Sequence, residues 1–174
     1  FNTHRLSTLT GNILLLSKIN NQSIHPQRTV FRLDEQVRQA IVALEQKWTE
    51  KGIDFDVELD KISYSGYESL LIHVWSNLID NAIKFDPHGG MIALRLWQEE
   101  GFAVFTIDDN GPGVPPQDQE RVFHKFYQSD SSRVMDGNGL GLPLVKKIVE
   151  FSGGTVTLEN LPAAGCRFTV RLPL

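Results

Sequence analysis

Cysteine occurs once in this chain of 174 residues, at position 166. That excludes an internal disulfide and any cysteine-based metal cluster. Cys166 alternates with Phe168 and Val170 in a strand-like pattern, so a core or face thiol is expected and not a nucleophile. Runs of basic residues are also missing, and the formal net charge is -4, which argues against a nucleic-acid surface. The longest apolar run, Ile13 to Leu16, is far below the roughly 20 residues that span a bilayer, and no charged start leads into a signal-type segment. Several phosphate-binding signatures are missing as well. No Walker A loop occurs, the glycines after position 136 fit neither register of a Rossmann turn, and the protein-kinase H-R-D and D-F-G signatures are absent.

What is present centres on His73 to Phe85, His-Val-Trp-Ser-Asn-Leu-Ile-Asp-Asn-Ala-Ile-Lys-Phe. At about 100° per residue, His73, Asn77, Asp80, Asn81 and Lys84 form one stripe of a helix. Leu71, Val74, Trp75, Leu78, Ile79 and Ala82 form the opposite face. Asn is a poor helix former, and its carbonyl oxygen is a hard ligand as well as an acceptor. Mg²⁺ commonly takes one or two protein oxygens and completes its shell with water and phosphate. Asn81 can supply such an oxygen, with Lys84 one turn along to meet phosphate charge; a solvated amide-bearing face explains this helix alone equally well.

The 41% hydrophobic content is enough for a core, and the length suits one domain plus an appendage. In residues 1 to 20, Leu6, Leu9, Ile13 and Leu16 recur at the spacing of a coiled-coil or bundle seam. The chain offers no matching helix, so a second chain or a further segment is expected to cover that seam; packing on the following domain is the competing arrangement. A helical pattern already running at Phe1 is expected of a piece of a longer protein. Asn20 to Arg28 reads as a linker.

A strand is expected around Val30 to Leu33, then a helix capped by Asp34, with Val37, Ile41, Leu44 and Trp48 buried and Gly52 at its end. Ile53 to Leu59 alternates as a half-buried strand, and Met91 to Trp97 with Phe102 to Asp108 reads as a hairpin. The second of these strands runs into Asp108-Asp109-Asn110-Gly111-Pro112-Gly113. Its alternate glycines let backbone approach a ligand closely, and Asp109 can accept from an exocyclic amine; an acidic turn at a strand end is the bland alternative. Pro115-Pro116 opens a helix with Val122, Phe123 and Phe126 on its apolar side, placing those aromatics in the core. A polar stretch from Tyr127 to Asp136 has the character of a lid, and it delivers Gly137-Asn138-Gly139-Leu140-Gly141-Leu142 into a helix. Glycine amides at a helix N-terminus suit phosphate. Thr155 to Glu159 and Cys166 to Leu172 read as a closing hairpin. The expected fold is one mixed, mostly antiparallel sheet with helices on one face.

This ordered set resembles the ATP-binding domain of sensor histidine kinases, in the GHKL superfamily with its Bergerat-type fold, an α/β (α+β) two-layer sandwich. The resemblance covers residues 28 to 174 as the catalytic domain. Residues 1 to 27 are similar to the second helix of a dimerisation and phosphoacceptor domain plus a linker. It implies ATP and Mg²⁺ as cofactors, with Asn81 on the metal and Asn77, Lys84 and Arg133 toward the phosphates. Phe85 is implied beside the nucleotide, and Asp109 on the adenine amino group. Thr169 is implied to hold that end of the ring through water. Gly111, Gly113, Gly137, Gly139, Leu140, Gly141 and Leu142 are implied in the two glycine boxes. It further implies a transferase of a two-component phosphorelay, passing phosphate through a His on the dimerisation domain to a response regulator. The parent would be a homodimer in the bacterial membrane with this part on the cytoplasmic side.

Departures accompany the resemblance. Tyr67 and Leu70 stand where relatives commonly carry an acid and an Arg, Phe85 where Tyr is commoner, and Gln128 where the lid often has Arg. No His-acid-Arg-x-Pro box is present, since His4 is followed by Arg-Leu-Ser, so the accepting His is expected elsewhere. A hydrolase of the same superfamily, with His73 at the position of the water-activating carboxylate, and a nucleotide-sensing regulatory module are the alternatives.

Overall fold

A computed structural model describes residues 2–128 and 139–174. The elements run α1 (Asn2–Asn20), β1 (Thr29–Arg32), α2 (Leu33–Ala43), α3 (Glu45–Glu50), β2 (Asp54–Leu59), β3 (Ser63–Gly66), α4 (Glu68–Phe85), β4 (Met91–Glu99), β5 (Phe102–Asp108), α5 (Gly141–Phe151), β6 (Thr155–Asn160) and β7 (Cys166–Pro173). Five strands form one sheet in the order β2-β4-β5-β7-β6, in which only β2 and β4 run parallel. The helices lie on one face, as the two-layer expectation requires.

Strand alternation and helix periodicity feed the same core. Ile92, Leu94 and Leu96 of β4, Phe105 and Ile107 of β5, and Phe168, Val170 and Leu172 of β7 are buried with Trp75, Leu78 and Ile79 of α4 and Leu144, Val145 and Ile148 of α5. Trp75 is the anchor: its ring lies 4.8 Å from that of Phe105, and its Nε1 donates to Gln36 Oε1 at 2.9 Å. Gln36 in turn donates to the Glu68 carbonyl at 2.9 Å, tying α2 to α4. A buried aromatic with a satisfied N–H fixes the rotation of α4 and therefore where its polar stripe points.

Several sequence expectations are corrected. The helix begun near Asp34 breaks at Leu44 into α2 and α3, and Asp34 is not its cap. Arg32 occupies that position in extended conformation without a side-chain cap, while the fully buried Asp34 carboxylate takes the Arg32 and Arg38 guanidiniums and the Ile62 N–H. A short strand, β3, with Tyr64 buried between two serines, pairs antiparallel with β1 in a separate two-stranded ribbon. The segment after Pro115 forms two short 3-10 turns, Pro116–Asp118 and Arg121–Phe123, instead of a helix. Phe126 is 65% exposed with a φ of 61°, so it is not core.

The α1 seam divides. Leu16 and Ile19 join the core, with α1 lying against α5, while Leu6, Ile13 and Leu14 are exposed. The contact on the domain therefore runs from Leu9, in the middle of α1, through Leu15 and Leu16 to Ile19. Among the described residues, no helix is long and apolar enough to cross a membrane.

Asp34 carries a stability prediction. The Arg32 guanidinium, then Arg38 and the Ile62 amide, hold its carboxyl well below the usual carboxylate range against the cost of burial. A lowered folded pKa gives stability that is full above the unfolded value and is lost as pH falls below it. Asp34→Ala strands Arg32, Arg38 and a buried N–H, and should cost about 2–3 kcal/mol, less than a fully buried pair because both arginines are partly exposed. Urea unfolding at pH 7 should show that loss, and the gap between variant and wild type should narrow below about pH 4; a gap independent of pH would assign it to packing.

Candidate nucleotide site

The polar stripe of α4 faces the two glycine segments. Its middle meets α5: the Asn77 side chain lies so close to Gly141 that a Cβ there would sit 2.9 Å from Asn77 Oδ1. Asn77 Nδ2 donates to the His73 carbonyl at 2.7 Å, leaving Oδ1 on the Gly141 side. Its C-terminal end meets the Asp109 turn: a Cβ on Gly111 would sit 2.8 Å from the Phe85 carbonyl oxygen. Asn81 and Lys84 lie between these two approaches, each half-buried, with Lys84 Nζ 5.3 Å from the Phe85 ring centroid. Leu140 is buried and Leu142 partly so, anchoring the second glycine segment as it enters α5. Gly139 adopts a φ of +71° beside Phe126, whose N–H donates to the Gly139 carbonyl at 2.9 Å. Arg133 and Gly137, and most of the lid segment, lie outside the described residues.

Asp109 follows β5 and is 3% exposed. Its Oδ1 accepts from the Gly111 N–H at 2.9 Å and the Cys166 N–H at 3.3 Å, and the Cys166 thiol donates to Oδ2 at 3.5 Å. Burial pushes the carboxyl pKa up, and the two backbone donors pull partly against it. Burial first, then the neighbouring Asp109 charge, pushes the Cys166 thiol up to about 12, so it stays protonated and able to donate. Asn160 closes the far side of the turn, accepting from Val114 N–H at 2.9 Å and donating to its carbonyl at 2.7 Å. Gly113, at φ +77°, lies beside that same amide.

Thr169 is a correction. Side chains alternate along a strand, and Val170 pairs with Phe105, which touches Trp75 on the helix side. Thr169 therefore faces the opposite side of the sheet, in a ladder with Thr106 and Thr157. Cys166 is the β7 side chain at Asp109. The signal was available, because position 166 shares parity with Phe168 and Val170 and follows a glycine at the strand start. Asp86 and Asn160 also went unnoticed in the sequence, where each looks like an ordinary turn residue.

His73 is exposed on α4, and partial desolvation of its ring lowers its pKa from the usual 6.5. Asp80, also on the stripe, is engaged by Lys47 at 2.8 Å. Among the described residues no cluster of three or more His, Cys, Asp or Glu side chains is arranged to hold a metal.

The arrangement, a polar helix face between two glycine segments with a buried acid at one end, is that of a nucleotide-binding ATPase domain. The family described as histidine kinase-, DNA gyrase B- and HSP90-like ATPase matches residues 66–174. The chain is 32% identical over 170 residues to the sensor protein kinase PmrB of Pseudomonas aeruginosa, covering 97% of this chain and 36% of the relative. Its fold superposes on the mycobacterial sensor histidine kinase MprB with a TM-score of 0.78 at 32% identity, covering 84% of this chain and 97% of that one. It also superposes on full-length ShkA, solved in complex with AMPPNP, with a TM-score of 0.84 at 26% identity, covering 97% and 35%. The chain belongs to the histidine kinase-, DNA gyrase B- and HSP90-like ATPase family, as a catalytic ATP-binding domain of the histidine kinase kind. It spans about a third of the length of the curated relatives it matches.

Proposed function

We propose that this chain binds Mg-ATP and donates the γ-phosphate to a His outside its own sequence, as the donor half of a sensor histidine kinase in a two-component system. The observation that carries the reading is the convergence of Asn77 on Gly141 and of Phe85 on Gly111, with buried Asp109 closing the base end. Phosphoryl transfer asks a protein mainly for positioning and charge neutralisation. Asp109 accepts from the adenine amino group, and Phe85 flanks the base. Lys84 and the amides at the start of α5 meet the phosphates, where unpaired N–H groups and the helix dipole act together. Asn77 sets the approach of α5 to α4.

The residues fit Mg²⁺: the Asn81 amide offers a hard oxygen on the stripe between the Gly141 and Gly111 approaches, and this ion needs few protein ligands when phosphates supply the rest. Bound there, it would neutralise phosphate charge. Arg133 and Gly137 are proposed as further phosphate contacts on the strength of the sequence resemblance.

Residues 1–27 are proposed as the second helix of the dimerisation and phosphoacceptor domain with its linker, and residues 28–174 as the catalytic domain. Exposed Leu6, Ile13 and Leu14 support a partner helix in the parent. A dimeric, membrane-anchored parent and a response-regulator partner are proposed with it, a reading that the likeness to sensor kinases supports. The hydrolase alternative, with His73 as base, is not favoured, because the relatives reported above are sensor kinases.

The test is incubation with γ-labelled Mg-ATP of this chain alone and of a longer form carrying a phosphoacceptor helix ahead of α1. Acid-labile protein label in the longer form only is the expected result. Steady phosphate release by the chain alone, with no label in either, would replace the kinase with a hydrolase and make His73 the next residue to change.

A further inference from the structure

Asp86 has no part in the roles assigned so far. It stands immediately after Phe85, at the C-terminal end of α4, and is 1% exposed. Its Oδ1 accepts from the Asn110 N–H at 2.5 Å. Its Oδ2 is the one buried side-chain oxygen or nitrogen among the described residues without a hydrogen-bond partner. Asn110 lies between Asp109 and Gly111, so this contact grips the turn whose next amide holds Asp109 Oδ1. The opposite side of Asp86 is shaped for it. A Cβ on Gly90 would collide with Oδ2, and Lys51 Nζ caps the end of α4 through the Ile83 and Lys84 carbonyls, at 2.7 and 2.9 Å, with its charge felt at Asp86.

We infer that Asp86 is a positioning residue for base recognition: by holding the Asn110 N–H it sets the distance between α4 and the Asp109 turn, and with it the preference for adenine over guanine. The inference rests on the reading of Asp109 as the adenine acceptor. Its physical basis is the shortness of the link. One side chain joins the end of the helix that carries Asn81 and Lys84 to the turn that carries Asp109, so this hydrogen bond, added to the packing of α4 on β5, sets the register of the phosphate end and the base end of the site. A misplacement of an ångström at such a point degrades a recognition geometry far more than it degrades a fold.

The test is calorimetric titration of Mg-ATP and Mg-GTP into the intact chain, wild type and three variants, with melting temperatures alongside. Asp86→Asn keeps the Oδ1 acceptor and should keep the ATP-to-GTP preference within about threefold. Asp86→Ala should lower ATP affinity about tenfold, the effect of losing roughly 1.4 kcal/mol, with little change for GTP, so that the preference falls with it. Gly90→Ala leaves the acid in place but pushes on Oδ2, at a position that does not need positive φ; it should lower the preference in the same direction. Full ATP preference in both Asp86→Ala and Gly90→Ala would overturn the inference. So would equal weakening of ATP and GTP in Asp86→Ala together with a fall in Asp86→Asn. A wild-type chain that binds ATP without preference over GTP would instead overturn the reading of Asp109, independently of Asp86.

Discussion

Replacing Asn81 by alanine should weaken Mg-ATP binding by about 100-fold and leave the melting temperature unchanged or slightly raised. The two halves of that result have separate causes. Asn81 sits on the polar face of α4, half-buried, between the points where Gly141 and Gly111 approach the helix. Its amide oxygen is a hard donor suited to Mg²⁺, and loss of a ligand or its close support commonly costs 10–100-fold or more in metal affinity. On the stability side, alanine is a better helix former than asparagine, and the truncation opens no core cavity, since the buried face of α4 is carried by Leu71, Val74, Trp75, Leu78, Ile79 and Ala82. Calorimetric titration with Mg-ATP, and again with EDTA present, measures the first half, and thermal unfolding by circular dichroism the second. Wild type should lose most of its affinity on chelation, whereas the variant should be indifferent to it. An Asn81→Ala variant with unchanged, chelator-sensitive affinity would remove the metal from this residue.

The α4 helix was the most legible part of the sequence because two independent patterns coincide on it. Its apolar face is specified by helical periodicity, and its polar face uses residues that a solvated helix has little reason to choose. The β4–β5 and β6–β7 hairpins were legible for a similar reason, since alternation and turn residues agree. The illegible parts depend on contacts distant in sequence. Asp34 reads as a cap until Arg32, Arg38 and the Ile62 amide are seen to converge on it, 28 residues apart at the widest. Thr169 and Cys166 are chemically plausible to similar degrees, and only sheet register decides which faces Asp109. Phe126 reads as core from its side chain alone, yet its positive φ and its tie to Gly139 fix it on the surface beside the glycine segment. Asp86 is hidden in a Pro-His-Gly-Gly turn whose composition explains itself without any functional role.

The second large effect is expected at Asp109, and there binding and stability should move in opposite directions. Burial raises the pKa of this carboxyl, with the Gly111 and Cys166 donors opposing the rise only in part. For a group whose folded pKa lies above its unfolded value, the stability it contributes is full below the unfolded pKa and is lost as pH rises through the folded one. Above the raised folded pKa the ionised Asp109 therefore weakens the free fold, and Asp109→Asn, which keeps an acceptor at Oδ1 for both backbone amides, should raise the melting temperature there. That gain should shrink as pH falls toward the range of an ordinary aspartate. ATP binding needs the opposite state, because the adenine amino group donates and requires an acceptor, which the ionised carboxylate offers at both oxygens. Asp109→Ala should lower ATP affinity by about 100-fold, the loss of a hydrogen bond to a charged acceptor plus a buried donor left unpaired, roughly 2–3 kcal/mol, while GTP affinity changes little. Wild-type ATP affinity should fall on acidification through the raised pKa, and Asp109→Asn should bind weakly at every pH with that limb flattened. Paired pH series of melting temperature and ATP affinity read both signs in one set of variants. If Asp109→Ala retained its preference for ATP over GTP, the carboxylate would be a structural clamp on the Gly111 and Cys166 amides, and the base would have to be read elsewhere on the site.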